Sequence, residues 1–178
     1  MPALFQNSQL SFGLGDFFKI LAIGLFLSIF QCFLAARIGY PGFGPEWMLP
    51  LAVYVALRSD LWVTALTAFC LGLIRDVTAG FLLGLWSLQL VMLVWLFFPY
   101  RLRLNFFNPL TATPLLFLLS IGGYLFIMTP LMAILGWPSD KFNPLPAFFT
   151  SSLLTALTTP PLFGFLNWLT RDKDSENG

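Results

Sequence analysis

The chain has 178 residues, 58% of them hydrophobic and 17% aromatic, with only 10% charged and a formal net charge of +1. Soluble domains average about 45–50% apolar and about 25% charged residues, so this composition points instead to an all-α integral membrane protein. The absence of histidine excludes Ser-His and Cys-His nucleophile pairs and removes the commonest metal ligand, and so small a net charge gives no electrostatic reason to expect nucleic acid.

Residues 1–16 carry no basic side chain. They lack the n-region of a signal peptide, and the first apolar run is expected to stay as a signal anchor. Span one covers about 17–36 and is closed by Arg37. A loop rich in Gly and Pro follows, with Gly39, Pro41, Gly42, Gly44 and Pro45. Span two covers about 47–57 and ends at the polar break Arg58-Ser59-Asp60. Span three covers about 61–74, and the pair Arg75-Asp76 marks the next turn. Span four covers about 79–98 and is followed by a loop with Arg101, Arg103, Asn105 and Asn108-Pro109. Span five covers about 112–135, and the loop 137–144 leads to span six, about 146–169. The whole chain, 1–178, reads as one transmembrane domain: an N-terminal segment 1–16, a helical bundle 17–169 and a cytoplasmic tail 170–178. The runs are continuous, whereas a transmembrane β-barrel shows alternating segments of about 10 residues.

Spans two and three fall short of the usual length of about 17–25 residues. Joined as one helix they would give five spans and bury Arg58 and Asp60, at about 2.5–3.5 kcal/mol each. Two short helices linked by a polar turn avoid that cost, so the reading is a compact bundle of six transmembrane helices, with five as the alternative. With both termini inside, the inner basic residues are Lys19, Arg58, Arg101, Arg103, Arg171 and Lys173. The outer ones are Arg37, Arg75 and Lys141. This asymmetry satisfies the positive-inside rule, and Arg101 and Arg103 stay inside in either topology.

Small or polar residues recur at helical spacing: Gly24, Ser28, Gln31 and Ala35; Ala68, Gly72 and Asp76; Gly80, Gly84 and Ser87. Such stripes let membrane helices approach closely. Gln31, Ser87 and Gln89 are the alternative lining of a polar pocket. Cys32 and Cys70 read as small buried hydrophobes. In span six, Pro160-Pro161 removes two backbone donors near Ala156 and Leu157 and predicts a kink. Ser151, Thr155, Thr158 and Thr159 are placed to satisfy the freed carbonyls. Arg75 and Asp76, adjacent in sequence, point to different sides of a helix. Asp76 needs a partner, either the N–H groups that open span four or Arg37.

Two blocks resemble the MreD family of bacterial rod-shape-determining membrane proteins. One is Pro45-Glu46-Trp47, opening an apolar span that ends at Arg58. The other is Ala68-xxx-Gly72-xxx-Asp76-xxx-Gly80-xxx-Gly84, with Arg75 beside the aspartate. The first small position is often Gly in the family and is Ala here. The resemblance covers residues 44–90, while spans five and six match only in hydropathy. It implies a bacterial inner-membrane, multi-pass scaffold of the elongasome. Such a scaffold binds the bitopic protein MreC. Through it, cytoplasmic MreB filaments are linked to the RodA glycosyltransferase and its penicillin-binding transpeptidase. It also implies the six-helix fold of the substrate-binding subunits of energy-coupling-factor transporters, which makes a vitamin-type transport subunit the runner-up. Those subunits carry an Ala-xxx-Ala face on the first span, and this chain does not. No catalytic, cofactor or metal residue is assigned, and an enzyme ranks last. The inner loop with Arg101 and Arg103 is a candidate cytoplasmic contact beside its reading as an ordinary positive-inside anchor.

Overall fold

The computed structural model describes residues 13–38, 45–79, 83–100, 109–134 and 144–171, and every regular element among them is helical. The helices are α1 (Leu14–Ile38), α2 (Met48–Arg58), α3 (Leu61–Ala79), α4 (Leu85–Phe97, extended by a 3-10 turn Phe98–Tyr100), α5 (Pro109–Gly122), α6 (Thr129–Ile134) and α7 (Pro144–Arg171). A π-helical stretch, Gly123–Met128, joins α5 to α6 without a break. Residues 109–134 therefore form one rod, and the described residues make six rods.

The shortest rod lies at the centre. α2 is apolar on all sides, and a helix of that kind must be covered all round. Met48 to Ala56 are buried throughout, and α1, α3, α4, α5 and α7 all pack against the helix. Side chains from α7 hold both of its ends. The Glu46 N–H donates to Thr155 Oγ1 at 2.7 Å, and Trp47 Nε1 donates to Thr158 Oγ1 at 3.2 Å. At the other end, Arg58 Nη2 and the Tyr54 hydroxyl donate to Asn167 Oδ1 at 2.6 and 3.3 Å. α2 and α7 thus run parallel. Glu46 sits level with Thr155, about 16 Å along α7 from Pro144 at a rise of 1.5 Å per residue.

Polar groups make the break between α2 and α3. Ser59 is extended (φ −130°, ψ 173°), and its hydroxyl donates to the Val55 carbonyl at 2.9 Å. Thr64 returns its own N–H and hydroxyl to the Asp60 carbonyl, both at 2.9 Å. Two separate helices result, with Asp60 exposed between them.

Boundaries elsewhere differ from the sequence expectation. α3 continues one turn past Ile74, so Arg75 and Asp76 are helical residues and not a turn. α4 begins at Leu85 instead of near 79, because Gly84 takes φ +97° and cannot be helical. α7 runs as one helical element through Pro160 and Pro161. Its threonine hydroxyls donate to the carbonyls of Ser151, Leu154 and Thr155, not to those of Ala156 and Leu157 that the prolines free. Cys32 and Cys70 are only half-buried.

Polarity is inverted relative to a water-soluble protein. Ser28, Gln31, Glu46, Asp76, Ser87, Gln89, Thr155 and Thr159 are buried, while Phe18, Phe26, Phe33, Trp62, Trp95 and Trp168 are each more than half exposed. Two helices, Leu14–Leu34 within α1 and Leu61–Ala79, are long and apolar enough to cross a membrane; Met48–Arg58, Leu85–Phe97 and Thr113–Leu125 are shorter apolar helices.

Candidate functional site

α3 and α4 approach so closely because of Gly72. A Cβ at that position would overlap the Cα of Ser87. The contact carries the start of α4 past the last turn of α3, where Asp76 waits. Helix N-termini present N–H groups with no partner in the helix and a partial positive charge. Asp76 meets both needs. Its Oδ2 accepts from the Gly84 N–H at 2.8 Å, the Ser87 N–H at 3.4 Å and the Ser87 hydroxyl at 3.1 Å; its Oδ1 accepts from the Trp86 N–H at 3.0 Å. The carboxylate is fully excluded from solvent. Arg37 takes no part, since its guanidinium lies 5.3 Å from the centroid of Phe33 on its own helix.

Gly84 works differently from Gly72. A Cβ on it would meet nothing within 4 Å, but its φ of +97° is a region that L side chains avoid. The small-residue stripe expected to end at Gly84 is therefore a packing surface at Ala68 and Gly72 and a backbone device at Gly84. Ala68 is buried on that face. Gly80, Arg101 and Arg103 lie outside the described residues.

Arg75, one residue before Asp76, lies between α4 and α1. Its guanidinium lies 5.4 Å from the centroid of Trp86, and Nη1 reaches Cys32 Sγ at 4.0 Å. Cys32 in turn donates to the Thr78 carbonyl at 3.2 Å, and the Thr78 and Ser28 hydroxyls share a short hydrogen bond. α1 is fastened to the end of α3 in this way.

Glu46, at 1% exposure, is the other acid in the deep interior. Pro45 and Trp47 beside it are also buried, and the Trp47 ring stacks on Phe30 of α1 with centroids 5.7 Å apart. The carboxylate faces the Tyr124 hydroxyl and feels the charge of Arg75, yet neither of its oxygens completes a hydrogen bond. Tyr124 comes from the π-helical stretch and meets the edge of Trp86, with centroids 5.9 Å apart. Gly123 keeps that stretch against α4, where a Cβ would come within 2.8 Å of Gln89 Nε2. Pro45, Glu46 and Trp47 are thus drawn to the end of the bundle that holds Arg75, Asp76 and Gly84. Gln31, Ser87 and Gln89, the three alternative pocket residues, are buried there as well.

The sequence does not single out Tyr124 or Asn167, and it offers Thr155 as a partner for carbonyls of its own helix and not for the Glu46 N–H; the partners of all three lie far away in the chain. The usable signal was Glu46 itself, an acid directly ahead of a helix apolar on every face. Among the described residues no group of three or more His, Cys, Asp or Glu side chains is placed to hold a metal. The chain matches no family model, no curated protein and no solved structure.

Proposed function

We propose that this chain is a multi-pass scaffold of the bacterial inner membrane, with six membrane helices and both termini cytoplasmic. In this reading it serves the cell-elongation complex, binding an MreC-like bitopic partner and through it helping regulate peptidoglycan synthesis and cell shape. One observation carries the reading. The block that resembles the MreD family, Ala68 to Gly84, builds a tight hairpin in which the scarce interior charge of Asp76 holds two helices together. A charge spent on architecture suits a scaffold. The exposed aromatic faces of α1, α3 and α4 suit a lipid surround and a membrane partner.

Affinity purification in mild detergent tests the proposal. Co-purification of MreC-like and MreB-like proteins is the expected result; an ATPase pair would replace it with transport. Phosphatase and fluorescent-protein fusions at each end test the topology, and an external N-terminus would remove the six-span arrangement. Arg101→Glu/Arg103→Glu tests the inner loop. If that loop is a cytoplasmic contact, the protein inserts normally but loses its cytoplasmic partner.

A second reading, a substrate-binding membrane subunit of a small-molecule transporter, draws support from Gln31, Ser87 and Gln89, all buried at one end of the bundle.

A further inference from the structure

Four oxygen acceptors at this end of the bundle lack a donor: both carboxylate oxygens of Glu46 and the side-chain carbonyls of Gln31 and Gln89. Glu46 and Gln89 are 1% exposed and Gln31 is 5% exposed. They come from three elements, α1, the segment ahead of α2, and α4. Gln31 lies between Phe30, which stacks on Trp47, and Cys32, which meets Arg75. Gln89 abuts the backbone of Gly123, and the next residue, Tyr124, faces Glu46. The Nε of Arg75 is also unpaired.

Buried polar groups in native proteins are almost always paired, and those that are not call for an explanation. Protonation of Glu46 does not supply one, because its single O–H donor serves one acceptor and still leaves the second Glu46 oxygen and one glutamine carbonyl unmet. Asp76 cannot share its partners, since they belong to the first turn of α4. The deficit is one of donors, beside a carboxylate, in a setting bordered by the rings of Trp86 and Tyr124. A primary ammonium group meets it. It offers three N–H donors and a positive charge, and aromatic faces favour a cation.

We propose that Glu46, Gln31 and Gln89 form a binding site for a primary ammonium group. Arg75 Nε supplies the matching donor for a hydroxyl or anionic oxygen on the same molecule. The inference stands apart from the scaffold reading and from the transport reading. Two sources share this chemistry, a small soluble amine such as ethanolamine and the headgroup of an ethanolamine phospholipid.

The test uses the full chain in nanodiscs of phosphatidylglycerol alone. Ethanolamine and choline are titrated separately, and unfolding is followed by tryptophan fluorescence. Choline keeps the charge and the hydroxyl but has no N–H. In parallel, discs containing phosphatidylethanolamine are compared with discs holding the same fraction of phosphatidylcholine. The expected result is a saturable rise in Tm of about 2–4 °C or more from ethanolamine or from phosphatidylethanolamine, with none from the choline counterparts. Glu46→Gln abolishes the rise, and Gln89→Leu weakens it. A rise with the free amine identifies a soluble ligand, and a rise only with the lipid identifies a headgroup. Should Glu46→Gln not fold, Gln31→Leu and Gln89→Leu carry the test. No rise in either arm means the site holds water only and overturns the proposal. An equal rise with choline, or a rise that survives every substitution, overturns it too.

Discussion

Asp76 and Glu46 are both acids buried at the same end of one bundle, and their polar surroundings are opposite. Asp76 lies near the end of α3 and receives four hydrogen bonds from Gly84 and the first residues of α4. Glu46 precedes α2, and its carboxylate receives none. Burial alone therefore does not assign a role to a charge. A carboxylate whose lone pairs are filled by a helix N-terminus belongs to the architecture, whereas one left unfilled is free to meet something else. Loss of each side chain should have correspondingly different consequences.

The largest effect belongs to Asp76→Leu. Four donors lose their acceptor, and the Trp86 and Ser87 N–H groups are left buried and unpaired. Breaking a buried charged arrangement of this kind costs about 3–5 kcal/mol. Denaturation in detergent should show a lower midpoint, and Asp76→Asn, which keeps one acceptor oxygen, should fall between the two. If the scaffold proposal holds, Asp76→Leu also fails to restore rod shape in a shape-defective strain at matched protein level. A midpoint equal to that of the parent would show that the hairpin does not depend on this carboxylate.

Gly72→Leu should come next. The new side chain cannot avoid the backbone of Ser87, so the helices must part, at about 1–3 kcal/mol for overpacking. Cysteine pairs placed across α3 and α4, in a background lacking Cys32 and Cys70, should cross-link more slowly. Unchanged cross-linking would mean that α3 and α4 tolerate the bulk without separating. The same change also pulls Ser87 away from Asp76, so the effects of Gly72→Leu and Asp76→Leu should be less than additive in the double variant.

How these two positions appear in the sequence explains what could be read there. Scarcity of charge made Asp76 conspicuous, and the small residues four positions before and after it implied a close helix pair. Its partners lie only 8–11 positions ahead in the chain, within reach of a local argument about helix ends. The two short helices around Ser59-Asp60 were legible for a similar reason, because burying Arg58 and Asp60 mid-span is costly. Glu46 was recognised as part of a motif but placed at a loop edge. Its depth comes from Thr155 and Thr158 on the last helix, more than 100 residues away, and no local pattern carries that distance. The uniform apolarity of α2 signals its central position, while its shortness by itself poses only a problem of membrane-span length. The separate roles of Gly72 and Gly84 were not visible, since a spacing of four residues does not report a backbone angle.

Gly84→Ala separates the conformational role from the packing role. A methyl group there has open space, but the residue must hold a φ of +97°, at about 1–2 kcal/mol for an L residue in the left-handed region. Stability should fall by about that amount while cross-linking between α3 and α4 stays as in the parent. A marked loss of cross-linking would show that Gly84 sits in the contact after all.

The smallest effect is expected at Glu46→Gln, although this residue is only 1% exposed. Its hydrogen bond to Thr155 comes from the main-chain N–H and survives the substitution. No donor is orphaned, because none is bound to the carboxylate. Two electrostatic effects oppose each other. Removing a buried charge relieves its desolvation penalty, and it also leaves Arg75 without the opposite charge it now feels. The new amide adds two donors, which the carbonyls of nearby glutamines can accept. Without ligand, the midpoint of Glu46→Gln should lie within about 0.5 kcal/mol of the parent or above it, the ordinary range for a change that breaks no specific interaction. Glu46→Leu, which keeps bulk but no polarity, should tell the same story with a modest packing loss. A loss at Glu46→Gln as large as that of Asp76→Leu would make Glu46 a structural anchor like its neighbour, and the contrast between the two acids would disappear.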